Sequence, residues 1–157
     1  WMQHFPQARL WGPASTIAKR PDLRFELALT EQPPEAWYSD IDQAWFRGSP
    51  LLDEVVFFHR ASRSVIFADL VQAFDADYLK AHWKPWQRAV AKVAGITLSA
   101  GAHAPLEWRL SFFNRKLARS ARTKVIGWDA ERVIVAHGDW CRRNASQFLA
   151  QSLAWLG

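Results

Sequence analysis

The sequence predicts a layered α/β domain, and three stretches of its 157 residues carry that prediction. Glu54 to Leu70, EVVFFHRASRSVIFADL, places two apolar runs of β-branched and aromatic residues around a polar HRASRS, which reads as a β-hairpin. Beyond it the apolar period lengthens to that of helices. Arg132 to Ala136, RVIVA, then gives a short buried strand that stops abruptly at His137-Gly138-Asp139, before one more helical stretch.

The remaining elements follow in chain order. Residues 8–11 (ARLW) read as a short strand, and Pro13 to Lys19 as a short helix with Pro in its first turn that ends before Pro21. Phe25 to Leu29 and Asp42 to Phe46 are extended candidates, with the turn signal Pro33-Pro34 between them. Both hairpin arms are nearly continuous in apolar residues, which predicts burial on both faces. Asp77 to Val93 has helical spacing (Tyr78, Leu79, Ala81, Trp86, Ala89, Val90, Val93), broken by Pro85. Leu106, Leu110, Phe113, Leu117 and Ala121 recur at steps of four and three, which predicts one amphipathic helix introduced by Pro105. Asn144 is placed to cap a last helix, Ala145 to Leu156, with Phe148, Leu149, Leu153 and Leu156 inward.

Composition bounds the function. Residues 1–157 suit one domain, and 50% hydrophobic against 22% charged residues excludes a disordered chain. The single Cys141 excludes an internal disulfide framework and fits a reducing, cytoplasmic setting. No apolar run approaches the roughly 18 residues of a membrane span. The chain opens WMQHFPQARLW, without an initiator Met and without a signal-peptide pattern, the start expected of a fragment.

The net charge of +5 is concentrated. Residues 105–124 hold Arg109, Arg115, Lys116, Arg119, Arg122 and Lys124 against one acid, Glu107, while the rest of the chain is balanced. Arg115, Arg119 and Arg122 share a helical face with Trp108 and Phe112, a pattern able to hold phosphates and stack on bases. A solvated helix face whose aromatics pack on a neighbour is the plainer reading. The same choice, packing or contact with a ligand or membrane interface, stands for Trp83 and Trp86 in HWKPW.

No two of His4, His59, His82, His103 and His137 lie within five residues, so no local zinc motif exists. GxGxxG, GxxxxGK[ST] and GxSxG are absent too, which removes the sequence case for dinucleotide, nucleoside triphosphate or serine-hydrolase chemistry. Two polar residues stand at the ends of apolar strands: Asp69 after VIFA and His137 after VIVA. Sheets of this class build sites where strands end, and a carboxylate with an imidazole are metal-ligand types. The alternative is that Asp69 caps a turn and His137 fills one before Gly138. Cys141, two residues after Asp139, is a packing residue or a further ligand.

The stretch IDQAWFRGSPLLDEVVFFHRASRSVIFADLVQAF, with the later RVIVAHGD, resembles the second half of the metallo-β-lactamase-like fold. It is most similar to a bacterial and plant branch of that superfamily, DUF4336, with RGSPL-x-EVVFFH, the DL after the second hairpin strand and AHG as the shared patterns. The resemblance implies a partial αββα sandwich, the later portion of the domain without its N-terminal part. It implies a hydrolase-type protein acting on a small molecule, with Asp69 bridging two metals and His137 ligating one of them. The HxHxDH motif and the third-motif His of the superfamily have no counterpart in these residues, so a zinc or iron ion needs upstream ligands and the fragment alone is incomplete. The rival expectation is a non-catalytic binding module of the same fold, using helix 105–124 for nucleic acid or anionic surfaces. His59, at the tip of the hairpin, reads as a structural or turn residue.

Overall fold

Alternation of burial sets the architecture of the computed structural model, which describes residues 2–157; Trp1, on which the reading of a fragment partly rests, lies outside the described residues. The N-terminal segment pairs two short strands, β1 (Trp11–Gly12) and β2 (Leu27–Ala28), in parallel across helix α1 (Ala14–Lys19). The first strand thus sits later than residues 8–11. The main sheet follows, from β3 (Ile41–Phe46), β4 (Glu54–His59), β5 (Ser64–Ala73) and, after the helices, β6 (Arg132–Gly138). Its spatial order is β3-β4-β5-β6, antiparallel as far as β5 and parallel between β5 and β6. The expected hairpin is the β4–β5 pair, and the expected class, α/β, is the observed one.

One face of this sheet makes the core. Phe46, Val56, Phe58, Val65, Phe67, Val133 and Val135 are buried on it. It is covered by α5 (Arg115–Gly127) through Ala118, Ala121 and Val125, and by α6 (Ala145–Ser152) and the turn after it through Leu149, Leu153 and Leu156. The small alanines of α5 let its backbone lie close to the strands. On the opposite face the strand register aligns Gln43, Phe57, Ile66 and Ile134. Gln43 is buried, with its amide donating to Thr30 O and Gln32 O, whereas Ile66 is 38% exposed. The hairpin is therefore buried on one face rather than on both: β4 alternates buried and half-buried residues in strict order.

Between β5 and β6 lie α2 (Ala76–His82), α3 (Pro85–Ala94), α4 (Leu106–Ser111) and α5. Asp75 caps α2 by accepting from the N–H groups of Asp77 and Tyr78, and Pro85 occupies the first turn of α3, so the predicted break falls where Pro placed it. The single helix expected from Pro105 is instead two. Buried Ser111 bonds Ser49 Oγ at 2.6 Å, and Asn114 N donates to Gly48 O, so residues 111–114 are tied to the 48–49 loop instead of continuing the helix. Gly48 has φ +119°, and a Cβ there would collide with the Asn114 carbonyl.

Of the predicted apolar stripe, Leu106, Leu110, Phe113 and Leu117 face outward as a result, and only Ala121 is buried. Leu110 is 66% and Phe113 81% exposed, while Phe112, Ala118, Ala121 and Val125 point inward. The last helix ends at Ser152, and Ala154–Leu156 form a 3-10 turn. Asn144 does precede α6, in a left-handed conformation with φ 58°, but its side chain makes no capping bond. No helix among the described residues is long and apolar enough to cross a membrane.

Candidate functional site

The parallel β5–β6 ladder breaks where the two singled-out residues stand. Its register runs from Ser64↔Arg132 to Phe67↔Val135 and resumes at Gln72↔His137. Residues 68–71 of β5 are thus set against Ala136 alone. Such a bulge bends a strand and re-aims its side chains. Here it carries Asp69 to His137: Asp69 Oδ1 lies 2.8 Å from His137 Nε2. Both side chains are near half exposure, at 45% and 46%. The structure therefore brings together the two residues named from strand ends, across 68 positions of sequence.

Glu54 holds the bulge in place, and sequence reasoning did not single it out. The β4–β5 ladder covers only Phe57↔Ile66 to His59↔Ser64. Continued, that register would set Glu54 opposite Asp69, and there the side chain takes over from the backbone. Glu54 Oε1 accepts from Ala68 N at 2.9 Å, and Oε2 accepts from Asp69 N at 2.8 Å and Leu70 N at 2.7 Å. Burial pushes the Glu54 carboxyl up, the three N–H donors pull it back, and the neighbouring Asp69 charge pushes it up again, for a net rise. The available signal was an acid heading the apolar strand EVVFFH, in register with Asp69.

Gly138 fixes the other strand end. Its φ is +106°, a Cβ would collide with the Ala73 carbonyl, and Asp139 N donates to that same oxygen at 2.9 Å. Beside His137 stands an aromatic wall: Phe74 is 6.4 Å from its ring, 5.8 Å from Tyr78 and 5.5 Å from Trp83. Trp83 is thus a packing residue, whereas Trp86 projects into solvent.

An ionised carboxylate only accepts, so His137 Nε2 carries the hydrogen in this contact. A metal asks for a different spacing. A tetrahedral zinc with ligands at ~2.0–2.1 Å holds two of them roughly 3.3 Å apart and requires three or four donors. At 2.8 Å the pair is set for a shared hydrogen, and no group of three or more His, Cys, Asp or Glu positioned for a metal exists among the described residues. These donors do not by themselves make a zinc site.

The remaining candidates lie elsewhere. His59 Nδ1 contacts Ser62 Oγ at 2.7 Å at the far end of the hairpin from Asp69. Cys141 Sγ donates to Arg143 O, and the Cys141 backbone pairs with Val133, the arrangement of a packing residue. The basic face of α5 is engaged within the chain. Arg115 donates to Trp155 O, Arg119 to Leu156 O at 2.8 Å and Arg122 to Leu153 O at 3.1 Å, so they satisfy carbonyls that the end of α6 leaves open. Lys124 pairs with Asp42 at 2.8 Å, and Trp128 Nε1 donates to the same carboxylate.

Neither a family model nor a curated protein matches this chain.

Proposed function

We propose that the protein is of the metallo-β-lactamase-like, hydrolase type and acts on a small molecule at the sheet edge where Asp69 and His137 meet. The observation that carries this reading is the 2.8 Å contact, built by a bulge with its own carboxylate lock rather than by chance proximity on a surface. Two further features support it. The sandwich implied by the resemblance needs a second apolar sheet face, and Phe57, Ile66 and Ile134 stand on one. The arginines of the rival binding surface are spent on the chain's own C-terminal carbonyls.

In this reading Asp69 and His137 are the two ligands these residues contribute, and a zinc or iron ion takes its other donors from elsewhere. The chain's own residues have defined work. Glu54 fixes the backbone that carries Asp69, and with no ion bound Asp69 holds the hydrogen on His137 Nε2, a hydrogen that an ion held by both residues would displace. A zinc titration followed through the ring signals of His137 tests the reading. Weak but saturable shifts in the wild type, as two protein donors with water completing the shell allow, and their loss in Asp69→Ala, are expected. Ring signals indifferent to zinc, or the same shifts in Asp69→Ala, overturn it.

A further inference from the structure

Phe74, which neighbours His137, also lines a cleft of about 530 Å³ between the end of β5, α2, α3 and the turn at residues 97–99. Its volume falls within the roughly 300–1,000 Å³ of small-molecule sites. Phe74, Leu79 and Leu98 give it an apolar lining. Three cations converge on the same space: Lys80 from α2, and Arg88 and Lys92 one helical turn apart on α3.

The charges are only partly compensated. The one acid in the lining is Asp75, one against three cations, and its Oδ1 already accepts from Asp77 N and Tyr78 N as the cap of α2. Among the described residues no ion pair or hydrogen bond engages the side chain of Lys80, Arg88 or Lys92, although twelve other basic side chains have such bonds or ring contacts. Like charges one turn apart repel, so placing Arg88 and Lys92 together is unfavourable until an anion enters. The hydroxyls of Thr97 and Ser99, 3.2 Å apart in the lining, add neutral donors of the kind that orient an oxyanion.

We propose that this cleft binds a small amphiphilic organic anion, its carboxylate or phosphate head held by Lys80, Arg88 and Lys92 and its apolar body laid against Phe74, Leu79 and Leu98. The proposal does not rest on metal binding or on Asp69 and His137. It separates the cleft from the exposed apolar surface of Val90, Val93 and Leu106, which has no cation in its lining.

Binding of octanoate, octyl phosphate and 1-octanol to the intact protein, followed by amide NMR shifts, tests it. The two anions are expected to shift amides at residues 74–80 and 97–99, to bind at least about tenfold more tightly than 1-octanol, and to weaken as salt is raised. Arg88→Gln/Lys92→Gln should reduce anion affinity about tenfold or more while leaving 1-octanol unchanged. Asp69→Asn should bind as the wild type does. Equal binding of 1-octanol and octanoate overturns the proposal. So do equal anion affinities in the wild type and the double variant, inorganic phosphate binding as tightly as octyl phosphate, or shifts centred on residues 90–93 and 106.

Discussion

Replacing Glu54 by Ala strips three backbone donors of their shared acceptor. The N–H groups of Ala68, Asp69 and Leu70 lie 2.9, 2.8 and 2.7 Å from the carboxylate, and no strand pairs with them at that point. An orphaned buried donor costs about 1–3 kcal/mol. Ala68 is exposed and Asp69 half-exposed, so water reaches them and the low end applies, whereas Leu70 is fully buried. Removing the carboxylate also returns its own cost of burial. The expected net loss is about 3 kcal/mol, or about 6–12 °C in Tm for a chain of this size. Glu54→Gln keeps one acceptor oxygen for Asp69 and Leu70 but turns an NH2 toward Ala68 N–H, so it should cost less, about 1–2 kcal/mol. Urea denaturation followed by tryptophan fluorescence gives both values, and amide exchange at residues 68–70 localises the effect. The reasoning is refuted if Glu54→Ala lies within about 0.5 kcal/mol of wild type, or if Gln is worse than Ala.

Gly138→Ala, with φ +106° and the Ala73 carbonyl in the way of a Cβ, should lose about 3 kcal/mol by the same denaturation assay and displace the His137 ring signals. Burial alone would raise the Asp42 carboxyl, but bonds from Lys124, Gln43 N and Trp128 hold it below its ordinary 3.8. Its contribution to stability is therefore complete above that value and lost as pH falls through the folded-state one, so Asn at position 42 should flatten the acid limb of a stability profile measured between about pH 2 and 5. Glu54 has the opposite sign: its folded value lies above the ordinary 4.5, so the associated stability is complete below 4.5 and declines as pH rises through the folded value, a decline that Glu54→Gln should lack. Arg119→Ala/Arg122→Ala should cost about 1–2 kcal/mol by releasing the carbonyls of Leu156 and Leu153, measured by thermal unfolding.

The hairpin and the polar pair were legible because each depends on a local pattern: a run of β-branched and aromatic residues, and a polar side chain where such a run stops, although β5 runs on past Asp69 to Ala73 and β6 past His137 to Gly138. The break at residues 112–114 was not, because its cause lies in the distant Gly48-Ser49 loop, which binds Asn114 and Ser111. The same distance misled the helical stripe. Leu110 and Phe113 have the right period, yet close packing of α5 on the sheet selects Ala118 and Ala121 as the inward residues. Glu54 was hidden for a related reason. A polar residue at the start of a strand paired on both sides looks like ordinary alternation until the β4–β5 ladder is seen to stop three residues short of it. The arginines of α5 looked like an electrostatic surface because the sequence shows their charge and not the carbonyls they face.

The lock at residues 68–70 also makes part of the sheet respond to a proton. Amides inside a sheet are ordinarily protected by another strand's carbonyls, which do not titrate, so their exchange reports only opening of the backbone. Here the partner is a carboxyl group whose protonation alters its strength as an acceptor. Exchange at Ala68, Asp69 and Leu70 should therefore carry a pH dependence beyond that of the neighbouring paired amides, and the backbone that presents Asp69 to His137 takes on that dependence with it.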